Sequence, residues 1–553
     1  MVLVDLLRIQ HDLESGADAL GNLDLTTVDA EGGIGVVVGD AADQIRAADS
    51  RARSSPVLEA LSVVPGMSGQ IDALRSLTGV AAGLGEVADG AAGALQAQLD
   101  RSGGGPETRL ALLDTTLAQI DVLDEHLDQL VVRADGWLLP PLADARSELV
   151  SELDDARTEI DDGHRTVAAL REFLAGPGDY LVLAANNAEM RAGGGMVLSA
   201  GTIHVEGGEV EPGDFVPTSD LHLGYTNGIP VSEELDRLYG DLGIGYEWRS
   251  VTSSPNFPAV GPVFSDLSEA SGLGEVDGVI MVDAIALSAL LAATGPVEFE
   301  GETYTVDTVA AQILNENYKR FTARGGEERE ERTDLQGRLA LAIFDSLNQR
   351  DVSIPTLAGG LAKVAKGRHL VGWAKDPELQ AVFGDLEADG ALQPDGLMVT
   401  VQNIGGSKLD WYIQPSVGLD VQRVADGTQR VTIDVSVPNP ERGETSRVIE
   451  GGTEYVEPGD HRALLGVYLP QAAYDVASPT RGFTRAGVDG PMKAAIMRYE
   501  VPYDETDVTR IEFSLPPGAD RLTLLPSARV FPVEFTLDGK TYTDAENTEI
   551  TWD

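Results

Sequence analysis

The sequence predicts a chain of three parts: an α-helical bundle or stalk over residues 1–175, an α/β domain with one mixed sheet over 177–390, and an all-β sandwich of Ig-like type over 396–553. Three observations carry that prediction. Apolar residues recur at helical spacing up to about residue 173, strand-like runs then alternate with helical ones, and beyond Gly396 only period-two runs punctuated by turns remain.

In the first part, Leu110, Leu113, Leu117, Ile120, Leu127 and Leu130 line one face of a helix with Asp and Glu between them. The pair Pro140-Pro141 interrupts the run, because a helix interior cannot hold two prolines. A second run through Leu142, Leu149, Ala156, Ile160, Val167 and Leu170 follows. A short break between two long amphipathic helices predicts an antiparallel hairpin. An earlier pair, roughly 40–53 and 66–100, is split at Ser55-Pro56 and Pro65-Gly66, and its Ala and Gly content permits close helix contact with little burial per residue.

At Gly176-Pro177-Gly178 the pattern changes. Buried strands are predicted at Tyr180–Ala185, Met196–Val205 and Val276–Asp283, with a hairpin turn at Glu206–Glu209 and short strands between Val297 and Thr305. Helices are predicted near 284–294, 307–322, 333–349 and 355–368. Strands alternating with helices argue for an α/β sandwich. In the last part, Val431, Ile433, Val435 and Val437, like Ile511, Phe513 and Leu515, alternate with polar residues, and turns fall at Asp426-Gly427, Pro458-Gly459, Pro517-Gly518 and Asp538-Gly539. That spacing describes a β-sandwich. It predicts a boundary near Pro394-Asp395-Gly396 and a C-terminal fragment that folds alone.

Composition narrows the function. Forty Lys plus Arg stand against ninety Asp plus Glu, a net charge of −50, so a non-specific grip on nucleic acid or an anionic bilayer is disfavoured. Cysteine is absent, which excludes thiol nucleophiles, Cys-ligated zinc and iron–sulfur clusters. The first lysine is Lys319, so no Walker-type lysine serves the N-terminal half. The low lysine content fits a GC-rich genome or a salt-adapted surface. No run of eighteen apolar residues occurs. Neither HExxH nor GxSxG is present, and the seven histidines are scattered.

Three segments could carry chemistry. The first is Asn186-Asn-Ala-Glu-Met-Arg-Ala-Gly-Gly-Gly195, read as a loop after a buried strand. Gly193, Gly194 and Gly195 would let backbone N–H groups approach an anion, Arg191 adds a fork of donors, and Asn187 adds an amide. The same residues fit a wide turn in which Asn186 and Asn187 cap the strand end. The second is a basic cluster, Lys319, Arg320, Arg324, Arg329, Arg332 and Arg338, of which Arg332 and Arg338 flank a helix start. Glu327, Glu328, Glu330 and Glu331 lie among them, so a solvated face of exposed salt bridges is the competing reading. The third is Trp248–Pro258, read as a Pro-bounded loop presenting Arg249 and Asn256.

The strings Asp179-Tyr-Leu-Val-Leu183, Asn186–Met196, Ser254-Pro-Asn-Phe-Pro258, Val276–Asp283, Ala293-Thr-Gly-Pro-Val297 and Asn315-Glu-Asn-Tyr318 resemble the bacterial domain-of-unknown-function family numbered 4012. That resemblance implies an extracytoplasmic protein anchored at the cell surface by a membrane helix ahead of the helical region, in an actinobacterial or other GC-rich bacterium. A more distant likeness is to the LytR-CpsA-Psr phosphotransferases, which attach glycopolymers from polyprenyl-pyrophosphate carriers to peptidoglycan. It implies that Arg332 and Arg338 neutralise a carrier pyrophosphate with help from Arg191 and Arg249, and that Mg²⁺ is a possible cofactor. The Arg-Ser-Asp-Thr and Pro-Arg-Asp signatures of those enzymes are not found here.

Two functions follow from the sequence. One is binding, and in the fuller version transfer, of a polyprenyl-linked or cell-wall glycopolymer. The other is a non-enzymatic envelope scaffold or adhesion protein that binds partner proteins or wall polymer around a catalytically inactive α/β core. Missing metal-binding signatures favour the second; the arginines beside the Gly-rich segment favour the first.

Overall fold

A computed structural model describes residues 2–21, 32–101, 105–133, 137–321, 338–343, 345–347, 352 and 354–552. The chain divides into two compact units, one formed mainly by residues 1–176 and the other by nearly all of the rest.

The first unit is helical: α1 (Val2–Gly21), α2 (Ile34–Ser54), α3 (Pro56–Ser62), α4 (Ser68–Arg101), α5 (Pro106–Gln129) and α6 (Pro140–Ala175). Ser55 ends α2 and caps α3, its hydroxyl accepting the Leu58 N–H with Pro56 in the first turn. Small residues let α2 and α4 approach closely, and a Cβ on Gly85 would touch the Ala42 backbone at 3.4 Å. Ile9, Ala48, Ala52, Leu58 and Ile71 form one small core; Val80, Leu127 and Leu153 form another. The two prolines do not merely stop a helix, since Pro140 and Pro141 form the first turn of α6, where missing N–H groups cost nothing. α5 and α6 run antiparallel, as Arg171–Asp114 at 2.7 Å near one end and Arg157 donating to the Leu127 carbonyl at 3.2 Å near the other require.

The second unit contains a mixed α/β middle and a β-rich C-terminal region. The α/β sheet runs in the order Glu209–Pro212, β2 (Gly194–Glu206), β1 (Gly178–Arg191), Gly278–Val282, Leu370–Ala374, with Val216–Pro217 paired to β2. β1 is antiparallel to β2 and parallel to Gly278–Val282. The segment read as a loop at 248–258 is instead a helical turn at Trp248–Val251 and the start of a helix, Phe257–Ala270, with Pro258 in its first turn. Trp248, Phe257 and Phe264 bury against Leu181, Leu183, Val279 and Met281 of the sheet, which is why this stretch is apolar despite its prolines. Helices at Ala286–Thr294 and Ile354–Lys366 and a separate hairpin, Val297–Phe299 with Glu302–Tyr304, follow the expected order.

The C-terminal region forms two six-stranded sheets. One centres on Gln429–Asn439 and Glu505–Leu515, paired from Gln429↔Leu515 to Asn439↔Glu505. The other centres on His461–Leu469, flanked by Met492–Val501 and Gly396–Asn403. Val431, Ile433, Val435, Leu465, Val467, Met497, Phe513 and Phe535 fill a core shared by the two sheets. The second sheet is covered on its other face as well. Met398, Leu464, Tyr468, Met492 and Ile496 join the same apolar cluster as Leu181, Tyr239 and Trp248. The change of pattern at Gly396 is thus a change of secondary structure across which a core continues.

Candidate functional site

The residues singled out from the sequence at 186–195 do not form a loop. β1 continues to Arg191 and turns directly into β2, and the glycines belong to that hairpin. Asn186 pairs with Met196 and Met190 with Gly195, so Asn187, Ala188 and Glu189 bulge out opposite a single step of β2. Asn186 fixes the bulge by accepting the Ala188 N–H at 2.9 Å. A Cβ on Gly195 would lie 2.4 Å from the Asn186 carbonyl carbon, and one on Gly193 would lie 2.7 Å from the Ser254 oxygen. Gly194 has φ +117°, a conformation that suits glycine alone. The Gly193 N–H, expected to face an anion, donates to the Thr252 carbonyl at 2.8 Å. Gly193 and Gly195 are accounted for by backbone packed on backbone, and Gly194 by its positive φ.

The bulge projects polar groups into the second unit. Asn187 is buried and its amide donates to Asp283 at 2.7 Å and to the Ala528 carbonyl at 2.9 Å, while its Oδ1 has no partner among the described residues. Asp283 caps the helix that follows it, accepting from the N–H groups of Ile285 and Ala286 at 2.8 and 3.1 Å, and it also holds His369 Nδ1 at 2.7 Å. Ala528 is held at φ +53°, an unusual conformation for a buried residue that bears a Cβ. Asn186 donates to the Tyr318 hydroxyl at 2.6 Å. Glu189 pairs with Lys408, whose ammonium lies 4.7 Å over the Tyr318 ring.

Farther along, the Met190 N–H donates to Asp410 at 3.2 Å. Burial alone would raise the Asp410 carboxyl, but His461, Arg529 and the Asn403 amide around it hold it below its ordinary range. Arg191 is enclosed by carbonyl oxygens, donating to those of Arg249 at 3.1 Å, Met190 at 3.0 Å and Asn403 at 2.7 Å, and burial lowers its pKa. Nε and Nη1 of its fork are therefore occupied by backbone.

The other predicted residues lie elsewhere. Arg249 is locked to Glu247 by two bonds of 2.8 and 2.6 Å. Burial alone would raise the Glu247 carboxyl, yet the Arg249 guanidinium beside it holds it low. Arg338 pairs with Glu300 at 2.6 Å and lies 5.6 Å over the Phe299 ring. Lys319 and Arg320 pair with Glu316 and Glu302 at 2.8 and 3.0 Å. Arg332, with Arg324 and Arg329, lies outside the described residues. Asn187 and Arg191 are thus brought together with Asp283, Asp410 and Asn403, and neither Arg249 nor Arg338 joins them through its side chain.

Sequence reasoning missed Lys408 and Asp410, which bond β1 directly, and His369, His461 and Arg529, which reach it through Asp283 or Asp410, all from strand ends and loops more than 180 residues away. Only Asp283, closing a strongly apolar strand, carried a local signal. Chemically, the Asp283 carboxylate fixes the tautomer of His369 and leaves Nε2 as its nitrogen without a partner among the described residues. Among the described residues no hydroxyl lies in hydrogen-bond reach of that nitrogen. Among the described residues no group of three or more His, Asp or Glu side chains could hold a metal ion. No curated protein and no solved structure matches the chain. Residues 175–318, which include the whole of the bulged hairpin and Asp283, match the family described as Protein of unknown function (DUF4012).

Proposed function

We propose that the chain is a non-enzymatic scaffold of the bacterial envelope, extracytoplasmic and held at the cell surface, that binds wall polymer or partner proteins. In this reading its α/β middle is a catalytically inactive relative of the LytR-CpsA-Psr fold and its β-rich region an Ig-like sandwich. One observation carries the reading: among the described residues, the groups that a phosphoryl-transfer site would direct at a pyrophosphate are engaged by the protein's own groups. Arg191 is bonded to three carbonyls, Arg249 to Glu247, Arg338 to Glu300, and the Gly193 N–H to Thr252. Fixed positive charge free to face developing negative charge is what such a transfer requires; Arg249 and Arg338 are paired with Glu247 and Glu300, and Arg191 turns its Nε and Nη1 towards carbonyls.

The test is a transfer assay with the full chain, a polyprenyl-pyrophosphate-linked saccharide, peptidoglycan acceptor and Mg²⁺. Attack of an acceptor hydroxyl on the sugar-side phosphorus would release polyprenyl phosphate. The expected result is release no faster than with heat-denatured protein. Release that depends on native chain and is lost on chelation of Mg²⁺ overturns the scaffold reading in favour of transfer.

A further inference from the structure

An aromatic ledge lies on the α/β middle, outside the bulge. The segment from His222 to Ile229 runs beside that from Gly243 to Arg249, laced to it by the Leu223 N–H on the Tyr246 carbonyl at 3.3 Å and the Ile229 N–H on the Gly245 carbonyl at 2.9 Å. Leu221, Leu223, Ile229, Val231 and Leu242 pin both segments to the core beneath. Tyr246 lies across glycine backbone: a Cβ on Gly243 would meet its ring at 2.8 Å, and one on Gly228 its Cβ at 3.2 Å. Tyr225 packs edge-on against Tyr246 with ring centroids 5.6 Å apart at 84°, and His222 does the same at 6.2 Å and 70°. Yet Tyr225 is 81% exposed. A single exposed tyrosine is ordinary; three rings in contact on a laced backbone, with one presented almost wholly to water, form a rigid apolar platform.

Hydrogen-bonding groups border the platform. His222 Nδ1 lies 3.8 Å from Glu247, and Glu247 is bonded at both oxygens to Arg249. Arg249 is 38% exposed, and its Nη1 has no partner among the described residues. The guanidinium charge is neutralised by Glu247, so the border offers planar donors and acceptors without net positive charge. Such a border suits hydroxyl groups better than phosphate. A flat C–H face sits well on the negative face of an aromatic ring.

We propose that Tyr225, held by Tyr246, and the bordering His222 and Glu247–Arg249 pair bind a sugar ring of a wall polysaccharide, Tyr225 taking its C–H face and the ion pair its hydroxyls. The inference rests on the binding-scaffold reading above and names its polymer and its site. It also gives Arg249 a role different from neutralising pyrophosphate.

The full chain is tested by co-sedimentation with purified peptidoglycan sacculi and by saturation-transfer NMR with chitin oligomers, dextran and galactan. The parent is expected to bind at least one of these probes, with Tyr225→Ala weakening Kd about tenfold, as the loss of one aromatic stacking partner implies. Tyr225→Phe should bind like the parent, and Arg249→Gln, which leaves the rings in place, should also weaken binding. Because Tyr225 is exposed, melting temperature should not move in Tyr225→Ala. A parent that binds none of the probes overturns the inference and leaves the transfer assay to decide the scaffold reading. Binding that survives both Tyr225→Ala and Arg249→Gln overturns the ledge while keeping wall-polymer binding by another surface.

Discussion

Asp489 sits where its charge is least welcome. It is buried at the junction of the α/β middle with the second C-terminal sheet, accepting from the Tyr239 hydroxyl at 2.7 Å and from Ser254 Oγ at 2.9 Å, and Tyr239 in turn meets the Tyr468 hydroxyl at 2.9 Å. Burial pushes its carboxyl up to about 6, against the two hydroxyl bonds that pull it down. Arg368 nearby is itself half committed, donating to the Pro255 carbonyl and to that of Gly390 at 2.7 Å, and burial lowers its guanidinium to about 10. A carboxyl that titrates near 6 when folded and near 3.8 when unfolded holds more protons in the folded state between those values. Stability from this group is therefore full below pH 4, falls as pH rises towards 6, and stays lost above it. Its size is on the order of 3 kcal/mol from the pKa difference. Asp489→Asn keeps an oxygen for both hydroxyls and cannot ionise, so it should gain on the parent between pH 4 and 6.5 in urea unfolding. Parallel pH profiles for the two proteins would show that Asp489 is not the titrating group.

The bulged hairpin makes the same point at the level of an element. The sequence shows the apolar run of β1, and it shows three glycines, but it does not show whether those glycines free the backbone for a ligand or let one strand press on another. The two demands select the same residue type, and only the partner decides: here Gly195 faces the Asn186 backbone and Gly193 the 252–255 segment. For the same reason Asn187 was legible as a special residue, whereas His369 and Ala528, which give it meaning, were not. Gly195→Ala should destabilise the second unit by about 1–3 kcal/mol, the usual cost of overpacking, because a rigid backbone atom stands in the way. Gly418→Ala, at a strand position with open space around it, is the control and should be neutral. Equal melting of the two variants would mean that β1 and β2 can separate at no cost.

Over the whole molecule, order and type of the elements were legible wherever periodicity was long: the α5–α6 hairpin with its proline break, the strand at 278–282, and the alternating strands 429–439 and 505–515. What alternation conceals is a sheet buried on both faces. All eight residues of Gly396–Asn403 are buried, among them the polar Thr400, Gln402 and Asn403. Gln402 reaches Ser253 at 2.8 Å, and Leu397, Val399 and Val401 face one core while Met398 faces the other. A run of this kind reads equally as the first strand of an independent domain. The physical difference appears on cutting the chain. A fragment of 396–553 keeps the core between its two sheets but exposes Met398, Leu464, Tyr468, Met492 and Ile496 to water and strips Asp489 of Tyr239 and Ser254. A contiguous apolar face of that kind drives association. The fragment 396–553 should therefore aggregate in size-exclusion chromatography at concentrations where 177–553 elutes as a single species, and its melting should lose cooperativity by circular dichroism. A fragment 396–553 that stays monomeric and melts cooperatively would show that the shared core contributes little, and that the boundary near Gly396 separates domains after all.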